Sequence, residues 1–130
     1  MVKKPKILIV DDEKEITETI SAILEEEGFK VSSAFDGQEA LLKVEKENPD
    51  LIILDIMLPK IDGFKLYRLI RFDEKYRKIP IVVLTARVKD LARLKEVGIS
   101  EAYYIEKPFR YETLIEKVYE ALGREKPAKG

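Results

Sequence analysis

The sequence predicts a single α/β domain built around a doubly wound parallel sheet. Three observations carry this. Five short apolar runs recur along 130 residues. Each is followed by a longer stretch with apolar residues at helical spacing, and Gly, Pro or Asp-Gly signals separate the two kinds of segment. Runs that are apolar throughout, rather than alternating, belong to strands covered on both faces. Strict strand–helix alternation then makes the sheet parallel, with right-handed crossovers laying helices on both sides.

Lys6–Val10 (KILIV) is the first strand. Glu13–Glu27 follows as a helix with Ile16, Ile20, Ile23 and Leu24 on one face, and Gly28 stops it. Lys30–Ala34 is the second strand, and Asp36-Gly37 is a turn. Gln38–Glu47 is a helix with Ala40, Leu41 and Val44 inward, ended by Asn48-Pro49. Leu51–Leu54 is the third strand, closed by Asp55; Pro59 and Asp62-Gly63 break the chain before a helix over Phe64–Lys75. Ile81–Leu84 is the fourth strand, with a helix over Arg87–Val97 that turns Val88, Leu91, Leu94 and Val97 inward. Glu101–Ile105 is the fifth strand. Tyr111–Leu122 is the last helix, aligned by Leu114, Ile115, Val118 and Leu122. Residues 1–123 form the domain, and 124–130 read as a polar tail or a truncated linker.

Composition narrows the chemistry. At 45% hydrophobic and 38% charged residues the chain is neither disordered nor membranous, and no apolar run reaches the length of a membrane span. The basic N-terminus leads into only a short apolar run and is not a signal peptide, so the expected location is the cytoplasm. A net charge of −1 argues against direct nucleic-acid binding by this domain. There is no Cys, hence no disulfide, thiolate nucleophile or zinc–cysteine site. There is no His, hence no imidazole base or ligand. What remains is carboxylate, hydroxyl, Lys and backbone, a set suited to Mg²⁺ and phosphate.

Ligands of such a sheet bind at the carboxyl ends of the strands, at the topological switch point. Asp11 and Asp12 follow the first strand, Asp55 the third, Thr85 the fourth and Lys107 the fifth. Crowded carboxylates repel and therefore hold a divalent cation or a proton. A hydroxyl and an ammonium can bind phosphoryl oxygens, and Asp55 can act as a nucleophile that forms an acyl phosphate. Each residue also has a plainer reading. Asp11 and Asp12 could open a helix, Asp55 could sit in a strand-end turn, Thr85 could cap a helix, and Lys107 could be solvated. It is their coincidence at one sheet edge that favours a site.

Ile7–Glu13 (ILIVDDE), Asp55–Gly63 (DIMLPKIDG), Leu84–Ala86 (LTA) and Lys107–Phe109 (KPF) resemble the successive motifs of response-regulator receiver domains. The resemblance spans Lys6 to Leu122, and four motifs in order on the correct strand ends are specific where each alone is common. It implies a flavodoxin-like sheet in the order 2-1-3-4-5. It also implies Asp12 as a direct Mg²⁺ ligand, Asp11 as a water-mediated one, Asp55 as phosphoacceptor and ligand, and Met57 as a ligand through its backbone carbonyl. Lys107 would pair with the phosphoryl group, Thr85 would hydrogen-bond it, and Tyr104 would be the switch aromatic, although packing alone would also explain a Tyr there. The Lys107–Pro108 peptide is expected to be cis.

The implied partners are a sensor histidine kinase or phosphotransfer protein upstream and a target protein or output domain downstream. The implied output face is formed by the fourth helix, fifth strand and fifth helix, with Arg87, Lys89, Arg93, Tyr104 and Lys117. A monomer is expected before phosphorylation, with dimerisation open after it. Met57 and Arg87, flanking the expected water path, suggest slow self-dephosphorylation. The Gly98–Ala102 loop departs from the family pattern, leaving two registers for the fourth helix.

Two enzyme or carrier classes compete less well. A haloacid-dehalogenase-type phosphatase needs a second acid where Met57 stands, and a flavodoxin-like carrier needs a phosphate cradle where Asp11-Asp12-Glu13 would repel one. A docking receiver that is never phosphorylated would not need all five positions filled. The domain is read as a signalling switch rather than a turnover enzyme.

Overall fold

The computed structural model describes residues 4–58, 62–85, 88–99 and 103–124. Among them strands and helices alternate: β1 (Lys6–Val10), α1 (Lys14–Glu26), β2 (Lys30–Ala34), α2 (Gly37–Glu47), β3 (Leu51–Asp55), α3 (Gly63–Arg71), β4 (Ile81–Thr85), α4 (Val88–Glu96), β5 (Tyr104–Glu106) and α5 (Tyr111–Ala121). All pairings are parallel, in the order β2-β1-β3-β4-β5. The α/β class and the order 2-1-3-4-5 are thus as expected.

The pleat divides the strands between two cores. Leu8, Val10, Ile52, Leu54, Ile81 and Val83 pack with α2, α3 and α4 through Ala40, Val44, Phe64, Leu66, Ile70 and Leu94. Ile7, Ile9, Leu51, Ile53, Val82 and Leu84 pack on the other face with α1 and α5 through Ile20, Leu24, Leu114, Ile115 and Val118. Every residue of β3 and β4 is buried, which explains why these strands show no alternation, while the edge strand β2 is only half covered. The chain leaves β1 towards β2 on one side, and β3 leads to β4 and β5 on the other. The crevice between the ends of β1 and β3 is therefore the switch point.

The clearest differences from the sequence reading lie in α3, α4 and β5, the last being Tyr104–Glu106 against the expected Glu101–Ile105, of which Glu101 and Ala102 lie outside the described residues. α3 ends at Arg71 rather than Lys75 because Asp73 starts a competing turn: its carboxylate accepts the Lys75 N–H at 2.8 Å, and its carbonyl accepts the Tyr76 and Arg77 N–H groups at 3.1 and 2.8 Å. α4 ends at Glu96 rather than Val97. Gly98, at φ +84°, donates to the Lys95 carbonyl at 3.0 Å, and Ile99 donates to Leu94 at 2.9 Å. That paired closure needs a left-handed residue and ends the helix at Glu96. β3, β4 and β5 also each reach one residue further than expected. Asp55 and Thr85 are themselves ladder residues, paired with Leu84 and Glu106.

Candidate functional site

The ends of β1, β3, β4 and β5 deliver the site. Asp11 follows β1 directly, its N–H bonded to the Ala34 carbonyl at 3.1 Å, and it is wholly buried. Its Oδ1 accepts the Glu13 N–H at 2.8 Å, the local turn that opens α1. Asp55 is nearly as buried, and its Oδ1 accepts the Met57 N–H at 2.8 Å. Lys107 arrives from the opposite end of the chain, anchored by its own N–H on the Thr85 carbonyl at 2.7 Å. Its ammonium donates to Asp55 Oδ2 at 2.7 Å, Asp11 Oδ2 at 3.2 Å and Glu13 Oε1 at 3.5 Å. The following Lys107–Pro108 peptide is cis.

Asp12 is exposed, yet one oxygen from each of Asp11, Asp12, Glu13 and Asp55 falls within 4.8 Å of the others. Four carboxylates thus face one ammonium. The imbalance appears in the protonation equilibria. Burial pushes the Asp11 carboxyl up to about 6; the Glu13 N–H pulls it down, the Asp55 charge raises it, and Lys107 lowers it. Burial pulls the Lys107 ammonium down, but the hydrogen bond and charge of Asp55, followed by those of Asp11, outweigh it and hold the group above its ordinary value. A cluster of hard oxygen donors with surplus negative charge fits Mg²⁺.

The sequence-derived residues do not all meet. Asp11, Asp12, Asp55 and Lys107 converge. Met57 contributes its backbone N–H to Asp55, while its side chain is 46% exposed. Thr85 is buried at the end of β4, and its hydroxyl makes a long contact of 3.5 Å to Asp90 Oδ2. Tyr104 opens β5 beside Val83, half-buried against the α2–α3–α4 core. Arg87, the Lys89 side chain and Ser100–Ala102 lie outside the described residues. Arg93, expected on the face shared by α4, β5 and α5, turns instead to α3. Its guanidinium meets Asp62 at 3.2 Å and stacks 4.0 Å from the centre of the Phe64 ring.

Two participants escaped the sequence reading. Glu13 looked like part of a helix start, and only the return of Lys107 shows its carboxylate beside the site. Asp90 belongs to none of the strand-end motifs; it lies in the first turn of α4, and its burial depends on the packing of α4 against β4. A cleft of about 680 Å³ lies at the other edge of the sheet, lined by Lys4, Lys6, Phe29, Lys30 and Lys46. It holds none of the converging acids. No helix among the described residues is long and apolar enough to cross a membrane.

The family profile described as "Response regulator receiver domain" matches residues 7–119. The chain is 40% identical over 119 residues to the regulatory protein VanRc of Enterococcus gallinarum, covering 92% of this chain and 50% of that protein. It is 37% identical over 123 residues to the phosphate regulon transcriptional regulatory protein PhoB of Rhizobium meliloti, covering 95% and 54%. The chain therefore spans about half the length of these curated relatives. Among solved structures, a response regulator from Chloroflexus aurantiacus superposes with a TM-score of 0.85 at 34% identity, covering 94% of this chain and all of that one. The chemotaxis response regulator CheY4 of Vibrio cholerae superposes with a TM-score of 0.82 at 31% identity, covering 92% and 99%.

Proposed function

Because this chain belongs to the response regulator receiver family of two-component signalling, we propose that it accepts a phosphoryl group on Asp55 and uses the modification to control a partner. The observation that carries this is the Lys107 ammonium, held between Asp55 Oδ2 at 2.7 Å and Asp11 Oδ2 at 3.2 Å. A nucleophilic carboxylate, a cation able to follow the phosphoryl oxygens and a metal-binding acid share one contact.

In this reading an Asp55 carboxylate oxygen attacks the phosphorus of a phosphodonor. The new O–P bond forms as the donor's bond to phosphorus breaks, and the leaving group keeps that electron pair. Asp11, Asp12, Asp55 and the Met57 carbonyl would hold Mg²⁺, which supplies neutralisation of phosphoryl charge when bound. Lys107 then exchanges its bond to Asp55 for one to a phosphoryl oxygen, and the Thr85 hydroxyl turns from Asp90 towards another. Tyr104, packed beside β4, follows the space that Thr85 vacates. The apolar Met57 side chain orients no water for hydrolysis and so favours a long-lived phosphorylated state.

The donor class is a phosphohistidine of a sensor kinase or phosphotransfer protein, and the setting is the cytoplasm. The output is a target protein or an output domain, since the curated relatives are about twice as long. Incubation with acetyl phosphate and Mg²⁺ should add one phosphoryl mass to the intact protein, and Asp55→Asn should abolish it because an amide is no nucleophile. Equal incorporation by the variant would refute the assignment.

A further inference from the structure

One side chain joins α4 to the neighbouring helix. Arg93 donates to Asp62 Oδ2 at 3.2 Å and lays its guanidinium 4.0 Å from the centre of the Phe64 ring. The other Asp62 oxygen accepts the Phe64 N–H at 3.0 Å, so a single carboxylate both caps α3 and holds α4. Phe64 is fully buried, which gives Arg93 a rigid surface to lie on. Behind this clasp, the Gly63 N–H bonds to the Ile56 carbonyl at 3.2 Å, and the Ile56 N–H bonds to Leu84 at 3.1 Å. Ile56 follows Asp55, whose Oδ1 takes the Met57 N–H. A continuous set of contacts therefore runs from Asp55 through Ile56, Gly63 and Asp62 to α4, using neither Thr85 nor Tyr104.

We infer that Arg93 is a positioning residue: with Asp62 and Phe64 it couples α4 to the backbone that follows Asp55, so that occupancy of Asp55 and the placement of α4 bias each other. The consequence for signalling rests on the reading of Asp55 as phosphoacceptor. Coupling of this kind is reciprocal, so a partner that shifts α4 also changes how readily Asp55 is occupied. Arginine suits the position because its planar fork can stack and donate at once, which a Lys ammonium cannot. An exposed ion pair alone contributes little, and the stacking on a buried ring gives the contact its weight.

Hydrogen exchange on the whole chain tests this, with Arg93→Leu and with Asp62→Ser, which keeps a capping oxygen but removes the charge. Without ligand, each variant should exchange about fivefold faster both in α4 and at the Ile56 and Met57 amides, and the double variant no faster than either. Acceleration confined to α4, or additive effects of the two substitutions, would overturn the coupling. With Mg²⁺ and beryllofluoride, the parent should respond at both the Asp55 segment and α4, and the variants only at the former. An undiminished α4 response in the variants would also overturn it. A parent that responds nowhere to beryllofluoride would instead contradict the role of Asp55, while the ligand-free comparison still decides the coupling.

Discussion

Asp11 has no exposed surface, and its carboxyl is held at about 6 against an ordinary 3.8. For an acid, a raised folded-state value means that the native chain keeps a proton the unfolded chain has lost. Stability therefore falls as pH rises from about 4 to about 6, and the full penalty is present above that. Its size is on the order of 2–3 kcal/mol. Asp11→Asn cannot ionise and escapes this slope. Urea titrations in metal-free buffer should show the variant gaining on the parent by about 2 kcal/mol between pH 4 and pH 7; parallel pH curves would show that Asp11 is not the source. Mg²⁺ should narrow the neutral-pH difference, because a bound cation relieves the same crowding in the parent.

At the scale of elements, the connection from β3 to α3 rests on Gly63. The Asp62-Gly63 pair announced a break in the chain, and Asp62 does cap α3. The reason for glycine is nonetheless one of contact: a Cβ at this position would overlap the Ile56 backbone. Gly28 differs, because a Cβ there would meet open space, but φ is +97°, so glycine is required for backbone conformation. Gly63→Ala should therefore destabilise the fold by about 3 kcal/mol, against about 1 kcal/mol for Gly28→Ala. It should also disturb the site, since Ile56 adjoins Asp55. Denaturant midpoints would rank the two, and an equal or larger loss at Gly28 would show that the loop yields easily.

Across the molecule, the exposed apolar side chains among the described residues are spread over several elements, with Met57 beside the acidic cluster. Phe35 follows β2, Leu42 lies on α2, Leu69 and Phe72 are at the end of α3, and Tyr103 precedes β5. Among the described residues, such scatter does not make the large, dense apolar surface of an obligate dimer. Sedimentation without a phosphodonor should give the 15.0 kDa monomer, and a tight dimer at micromolar concentration would contradict this. Addition of acetyl phosphate and Mg²⁺ should change association or partner binding through the surface formed by α4, β5 and α5, where Tyr104, Pro108, Phe109 and Lys117 line a cleft of about 410 Å³.

Apolar runs, helical spacing and turn residues were enough to reach a parallel α/β sheet and both helical layers, because these signals are local. The resemblance of the strand-end motifs supplied the strand order. Asp11, Asp12, Asp55 and Lys107 were legible as a set because a parallel sheet brings the ends of its central strands to one edge whatever their separation in sequence. Lys107 meets Asp11 across 96 positions, and only tertiary packing could set that distance or draw in Glu13. The same holds for the burial of Asp90 between α4 and β4 and for the turn of Arg93 towards α3. A long or charged side chain has several reachable partners, and which one it takes depends on how neighbouring helices are spaced on the sheet, a quantity no single segment encodes.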